Sequence, residues 1–350
     1  MGIKTDVFGK TAEGTQVYKI TLCNDNGMKV SCINYGANIV SIEVPDKSGK
    51  TIDVCLGFDS VEEYEVNPPF FGAFIGRCAN RVGGASFTIN GNTYQLAKNE
   101  KDKNTLHSGA PFYHKVMYDY KDVSADGVSA VCLSRLSPDM EQGFPGNLDV
   151  SVTYSLTNDN ELIIEYGARS DKDTVVNFTN HSYFNLDGNA SGNVENHKVY
   201  INAEKYTATT SELIPTGELA DIKGTPLDFT SEKRVGEDID KDMDTLKYGK
   251  GYDLNYAINK PLGEFGLAAR AKGENGLVME VYTDLPGVQF YTGNNIGAGL
   301  KGKADCTYGP RSGLCFETQQ FPNACNIDSF PSSILKAGEK FVSKTMYKFL

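Results

Sequence analysis

The stretch Asp149-Val-Ser-Val-Thr-Tyr-Ser-Leu156, followed by Asn158-Asp-Asn160 and Leu162-Ile-Ile-Glu-Tyr166, decides the fold class. Val150, Val152, Tyr154 and Leu156 alternate with polar residues, so a period of two places them on one face of a strand. The Asn158-Asp-Asn160 cluster is turn chemistry, and the apolar run behind it brings the chain back as the second arm of a hairpin. Residues 85–96 repeat the pattern around Asn90-Gly91, a pair that accepts the left-handed backbone of a tight hairpin turn. Turn signals recur at Asn24-Asp-Asn-Gly27 and Gly273-Glu-Asn-Gly276. The window with the most helical character is Asp59-Ser-Val-Glu-Glu-Tyr64, with Asp59 or Ser60 as N-cap. Short strands and 36 glycines predict an all-β protein. The pattern by itself leaves sandwich and barrel open.

The chain has 350 residues and shows no internal repeat, low-complexity tract or linker. A single domain over residues 1–350 is expected. The polar segment 231–251 reads as a long surface loop with one helical turn. A net charge of −11 argues against nucleic acid or an anionic membrane as partner. No apolar run approaches the ~18 residues of a membrane helix, and the first residues lack the form of a secretory signal. A cytoplasmic protein is therefore expected. The eight cysteines include no Cys-x-x-Cys pair, which disfavours a structural zinc site. Several lie between apolar neighbours, as in Val54-Cys55-Leu56 and Val131-Cys132-Leu133, and read as buried free thiols.

Two of the four histidines and one glutamate stand in distinctive strings: Asn104-Thr-Leu-His107, Asn180-His181-Ser-Tyr-Phe-Asn-Leu186 and Glu317-Thr-Gln-Gln-Phe-Pro322. A histidine and a carboxylate facing each other across a pocket can move two protons near neutral pH. Glu317 follows Leu314-Cys315-Phe316, and a carboxylate at the end of an apolar strand is partly desolvated and a stronger base. Read locally, each residue also has a plain structural role. Glu317 is then a solvated strand-end glutamate, and His181 a core histidine satisfied by Asn180 or Asn185. Arg81 after Gly76-Arg77-Cys-Ala-Asn80 is a salt-bridge partner, and Gln289 an edge-strand glutamine.

These strings resemble the aldose 1-epimerase (galactose mutarotase) family, and the resemblance runs collinearly through nearly the whole chain. It includes Asn34-Tyr-Gly-Ala-Asn-Ile-Val40, Gly76-Arg-Cys-Ala-Asn-Arg81 and Ile214-Pro-Thr-Gly-Glu218. It continues through Pro226-Leu-Asp-Phe229, Gly251-Tyr-Asp253, Pro286-Gly-Val-Gln-Phe-Tyr-Thr-Gly-Asn294 and Lys336-Ala-Gly338. The resemblance implies a large antiparallel β-sandwich, the galactose mutarotase-like supersandwich, with a sugar cleft across one curved face. It implies interconversion of the α and β anomers of a free aldose, galactose or glucose first. Glu317 would be the general base at the C1 hydroxyl and His181 the general acid at the ring oxygen. Asn80, Arg81, His107, Asp253 and Gln289 would bind the sugar. No metal, nucleotide or redox cofactor is implied, and the partner is a monosaccharide, with the protein a monomer or homodimer. His114 and His197 fall outside the matching strings and read as surface or structural.

Three departures from the family pattern bear on cleft shape. His107 is followed by Ser-Gly-Ala-Pro-Phe-Tyr113, Met117 stands near a family tryptophan, and Leu254 follows Asp253 where a histidine is common. Three other readings remain at this stage. A hexose-phosphate epimerase would need a basic pocket, for which only Arg77 and Arg81 are candidates. A non-catalytic sugar-binding protein would bind without exchange. A glycoside hydrolase would need two suitably spaced carboxylates, with Asp253 and Glu317 the pair to nominate.

Overall fold

The computed structural model describes residues 2–45 and 49–350. The decisive hairpin forms as read. Strands Leu148–Thr157 and Glu161–Ser170 pair antiparallel, with Leu156 opposite Leu162 and Tyr154 opposite Ile164. Asn160 takes the left-handed conformation that closes the turn, with φ 57°. Val150, Val152, Tyr154 and Leu156 are all buried. The second hairpin joins Ser86–Ile89 to Asn92–Gln95, and both turn residues have positive φ, 51° at Asn90 and 77° at Gly91.

Among the described residues, three larger antiparallel sheets stand out. The first is a meander of Gly2–Lys10, Gln16–Cys23, Lys29–Ile33, Ile39–Pro45 and Thr51–Asp53 in chain order. The second has nine strands, with the hairpin near its centre. Its C-terminal strand Lys340–Phe349 is inserted between Glu161–Ser170 and Val278–Thr283. The third has the order Pro215–Asp221, Ala203–Thr209, Asp253–Ile258, Gly287–Tyr291 and Cys315–Gln319. One apolar cluster joins all three: Ile20, Leu22 and Val30 from the first, Val152, Tyr154 and Tyr347 from the second, Leu254, Phe290 and Phe316 from the third. Sheets packed face to face over a shared core make this a sandwich rather than a barrel.

The expected helix is Val61–Val66, and Ser60 is its cap rather than Asp59. Ser60 Oγ accepts the Glu63 N–H at 3.4 Å, and the Glu63 carboxylate accepts the Ser60 N–H at 3.2 Å. This reciprocal pair satisfies two donors that a helix start otherwise leaves open. The segment 231–251 holds the two-residue strand Lys233–Arg234, a single 3-10 turn at Val235–Glu237 and one short α-helix, Asp244–Gly249. All eight cysteines are free, but only Cys32, Cys55, Cys78 and Cys315 are fully buried. Cys132 is half-buried because the alternation that buries Val131 and Leu133 turns it the other way. No helix among the described residues is long and apolar enough to cross a membrane.

Candidate active site

Three neighbouring strands of the third sheet sort chemistry from packing by register. Asp253 pairs with Tyr291 and Tyr291 with Cys315; Asn255 pairs with Gln289 and Gln289 with Glu317. Directly opposed residues share a face, so these polar rows lie on one side of the sheet. The residues between them, Leu254, Phe290 and Phe316, point to the other side and enter the main core. Phe290 and Phe316 stack there with centroids 5.3 Å apart. Leu254, one of the departures, therefore serves the core.

Glu317 lies in the middle of its strand, not at the end of it, and is 2% exposed. The polar Thr318-Gln319 that suggests a strand end is itself buried on both faces of the sheet. Gln289 is likewise interior, flanked by paired strands on both sides. His181 ends the short strand Thr179–His181, which pairs with Ala73–Ile75. Gly72 holds that pairing close: its N–H donates to the His181 carbonyl at 3.1 Å. A Cβ at Gly72, where φ is 64°, would fall 1.8 Å from the Ile39 carbonyl oxygen. Asn180 and Asn185 do not satisfy the His181 ring. Their amides donate instead to the carbonyls of Gly72, Gly192 and Ser312.

His107 occupies a left-handed turn, φ 51°, with Ser108 and Gly109 also at positive φ. Asn80 clasps it from both ends. The His107 N–H donates to the Asn80 carbonyl at 2.9 Å, and the Asn80 N–H donates to His107 Nδ1 at 3.1 Å. Ser108 Oγ accepts the Cys78 N–H and donates to the Cys78 carbonyl, fixing the turn against the same segment. With Nδ1 an acceptor, the neutral ring carries its proton on Nε2.

All the expected site residues meet in one cavity: Asn80, Arg81, His107, His181, Asp253, Gln289 and Glu317. Pro68-Pro69, Phe70, Leu106, Tyr183, Tyr291 and Asn295 complete its wall. His181 stacks on two aromatic rings, tilted 25° from Tyr183 at 4.9 Å and 22° from Phe70 at 6.0 Å. Its Nε2 lies 3.6 Å from Glu317 Oε1. Glu317 Oε2 is buried and has no protein partner. Gln289 Nε2 donates to Asp253 Oδ1 at 2.6 Å. Arg81 donates through Nε to both oxygens of Glu100, at 2.9 and 3.0 Å, and its NH2 lies 3.8 Å from Asp253. Arg81 thus is a salt-bridge partner and a cavity residue together.

Burial drives the titratable groups toward their neutral forms. It pushes the Glu317 carboxyl well above the usual carboxylate range; Asp253 adds to the rise and the Arg81 charge opposes it. It brings His181 down to about 4 and His107 well below its ordinary value. His107, His181 and Glu317 bring ligand atoms within 4.8 Å of one another, the spacing of a divalent-metal site, but with its Nδ1 taken by the Asn80 N–H the His107 ring would have to give up its Nε2 proton to bind a cation. A cation there would occupy the lone pairs that proton transfer needs.

Arg77 is outside the cavity. Its guanidinium is fully committed to Ser137, Pro138, Phe144 and Pro145. That removes it from any phosphate pocket. His114 and His197 are both 1% exposed, so neither is a surface residue. His197 accepts the Leu186 N–H at 2.9 Å, and His114 packs edge-on to Phe70 at 4.7 Å. Sequence reasoning missed Glu100 and Phe70. Glu100 lies in the charged run Lys98-Asn-Glu-Lys-Asp-Lys103, where nothing local marks it.

The sequence profile described as Aldose 1-epimerase matches residues 18–348. The chain belongs to the aldose 1-epimerase family. It is an isomerase that interconverts the α and β anomers of an aldose. Human galactose mutarotase is 40% identical over 343 residues, covering 98% of this chain and 97% of that protein. Aldose 1-epimerase of Escherichia coli strain K12 is 35% identical over 341 residues, covering 97% and 96%. Among solved structures, galactose 1-epimerase from Lactobacillus acidophilus superposes with a TM-score of 0.86 at 28% identity, covering 99% of this chain and 98% of that one.

Proposed function

We propose that this epimerase acts on free galactose or glucose, with Glu317 and His181 sharing one proton between them. The unpartnered Glu317 Oε2, buried at the cavity floor opposite His181, is the observation that carries this reading. A buried oxygen left without a donor costs free energy unless a ligand hydroxyl supplies one. In the reactive form Glu317 is a carboxylate, favoured by the Arg81 charge, and His181 an imidazolium. Glu317 takes the proton from the C1 hydroxyl, and the O1–H electrons form the C1=O bond. The C1–O5 electrons pass to O5, which takes the Nε2 proton of His181. The open aldehyde rotates about C1–C2, and the reverse transfers close the ring onto its other face. His107 presents an Nε2–H to a sugar oxygen. Asp253, Gln289, Asn80 and Arg81 hold the remaining hydroxyls.

The relatives named galactose mutarotase support galactose as a substrate. We also read the chain as one domain, because its main core includes residues from Ile20 to Phe349. Eight free thiols fit a reducing, cytoplasmic setting. Polarimetry on fresh α-D-galactose and α-D-glucose tests the reading. Accelerated decay to the equilibrium rotation, lost in Glu317→Gln and His181→Asn, is expected. An unchanged rate in either folded variant would remove that residue from the mechanism.

A further inference from the structure

His181 has a second polar partner that the reaction scheme leaves unexplained. Its Nδ1 lies 3.6 Å from Cys315 Sγ. Cys315 is fully buried and two residues before Glu317, so both side chains lie on the same face of one strand. One strand therefore addresses both ring nitrogens, with sulfur at Nδ1 and carboxylate at Nε2. Stacking against Tyr183 and Phe70 limits how far the imidazole can turn.

The proton balance says which form of the ring the reaction needs. The imidazolium gives its Nε2 proton to O5 as the C1–O5 bond breaks. What remains is neutral His181 with its one proton on Nδ1. On ring closure the bare Nε2 takes the C5 hydroxyl proton back. Nδ1 keeps its proton through the whole cycle. The other neutral tautomer has no lone pair at Nε2 and cannot accept that proton. An acceptor facing Nδ1 is what favours the productive form.

We infer that Cys315 is a positioning residue: its sulfur accepts the Nδ1–H of His181 and keeps Nε2 free to pass the O5 proton in both directions. Burial raises the Cys315 thiol well above its ordinary value, so it stays protonated and offers sulfur lone pairs. A hydrogen bond to the backbone of His181 itself also favours a protonated ring. His107 is the contrast within the same cavity. There a backbone N–H meets Nδ1 and enforces the opposite tautomer, a fixed donor at Nε2.

The inference rests on the proposed acid–base pair, and the two fail differently. The direct test is a long-range 1H–15N correlation on protein with 15N-labelled histidine, which reads each tautomer without any substitution. His181 is expected as Nδ1–H and His107 as Nε2–H. An Nε2–H signal for neutral His181 would overturn the inference. Cys315→Val should lower kcat roughly three- to tenfold, the worth of one modest hydrogen bond, with KM unchanged and the Nε2–H form now populated. Cys315→Ser, which keeps an acceptor, should stay within about twofold of the parent. Unchanged kcat and tautomer in Cys315→Val would overturn the role of the sulfur while leaving the His181→Asn loss in place. Activity surviving in His181→Asn would instead remove the acid–base reading beneath it.

Discussion

Phe316 and Glu317 are adjacent in sequence, both buried, and answer to opposite rules. Phe316 faces Phe290 and the common core, where shape and volume decide the energy. Glu317 faces the cavity, where a raised carboxyl and an unpartnered oxygen are tolerated. The two faces of one strand thus separate stability from chemistry. The core face lowers the folded state's free energy; the cavity face spends part of that gain on groups set up for a ligand. Buried polar atoms without partners cost about 1–3 kcal/mol each, and a sheet packed over a core this extensive can carry them.

The largest effect should come from the cavity face. Glu317→Gln should cut the enzymatic rate ~10²–10⁴-fold, measured by polarimetry, without lowering Tm. Its stability should even gain on the parent as pH rises. The folded pKa of Glu317 lies above its unfolded value, so ionising it costs more in the fold than in the unfolded chain. That penalty is absent below the unfolded pKa of about 4.5 and grows above it. The Tm difference between variant and parent should therefore widen from pH 5 to pH 8; a constant difference would break the argument.

Phe316→Ala should do the reverse. Denaturant melts should show a loss of about 3–5 kcal/mol, while the folded fraction keeps most of its turnover. If turnover per folded molecule fell as far as in Glu317→Gln, the two faces would not be separable. Asp253→Ala should lose about 1.5–3 kcal/mol of sugar binding, seen as a ten- to hundredfold rise in KM with a smaller change in kcat. The smallest effect is expected from chelation. Dialysis against a chelator should leave the rate unchanged, whereas a dependence on added metal would give His107, His181 and Glu317 a different role.

The separation of faces was only partly legible in the sequence. Alternation and turn chemistry identified the 149–166 hairpin because both signals are local. The short strings around His107, His181, Asp253, Gln289 and Glu317 named residues that the fold brings to one cavity. Glu317 was placed at a strand end because Thr318 and Gln319 look solvated. They are buried: Thr318 shares the core face with Phe316 and meets Thr345, and Gln319 lies on the face of Glu317 beside Gln289 and Asn255. Glu100 and Phe70 were invisible for a different reason: their partners are distant in sequence. Glu100 meets Arg81 from 19 residues away, and Phe70 meets His181 from the turn just before the strand that pairs with it. His114 and His197 read as surface or structural because they fall outside the matching strings, and both are buried.

The pH dependence of kcat/KM for anomer exchange, corrected for the uncatalysed rate, tests the shared proton most directly. The one-proton state of the pair lies between protonation of His181 and loss of the last proton through the raised Glu317. A bell is therefore predicted, with an acid limb near pH 4 and an alkaline limb well above the ordinary carboxylate range. The alkaline limb should vanish from the residual activity of Glu317→Gln. A flat profile across both limbs, or an alkaline limb that survives in Glu317→Gln, would contradict the account.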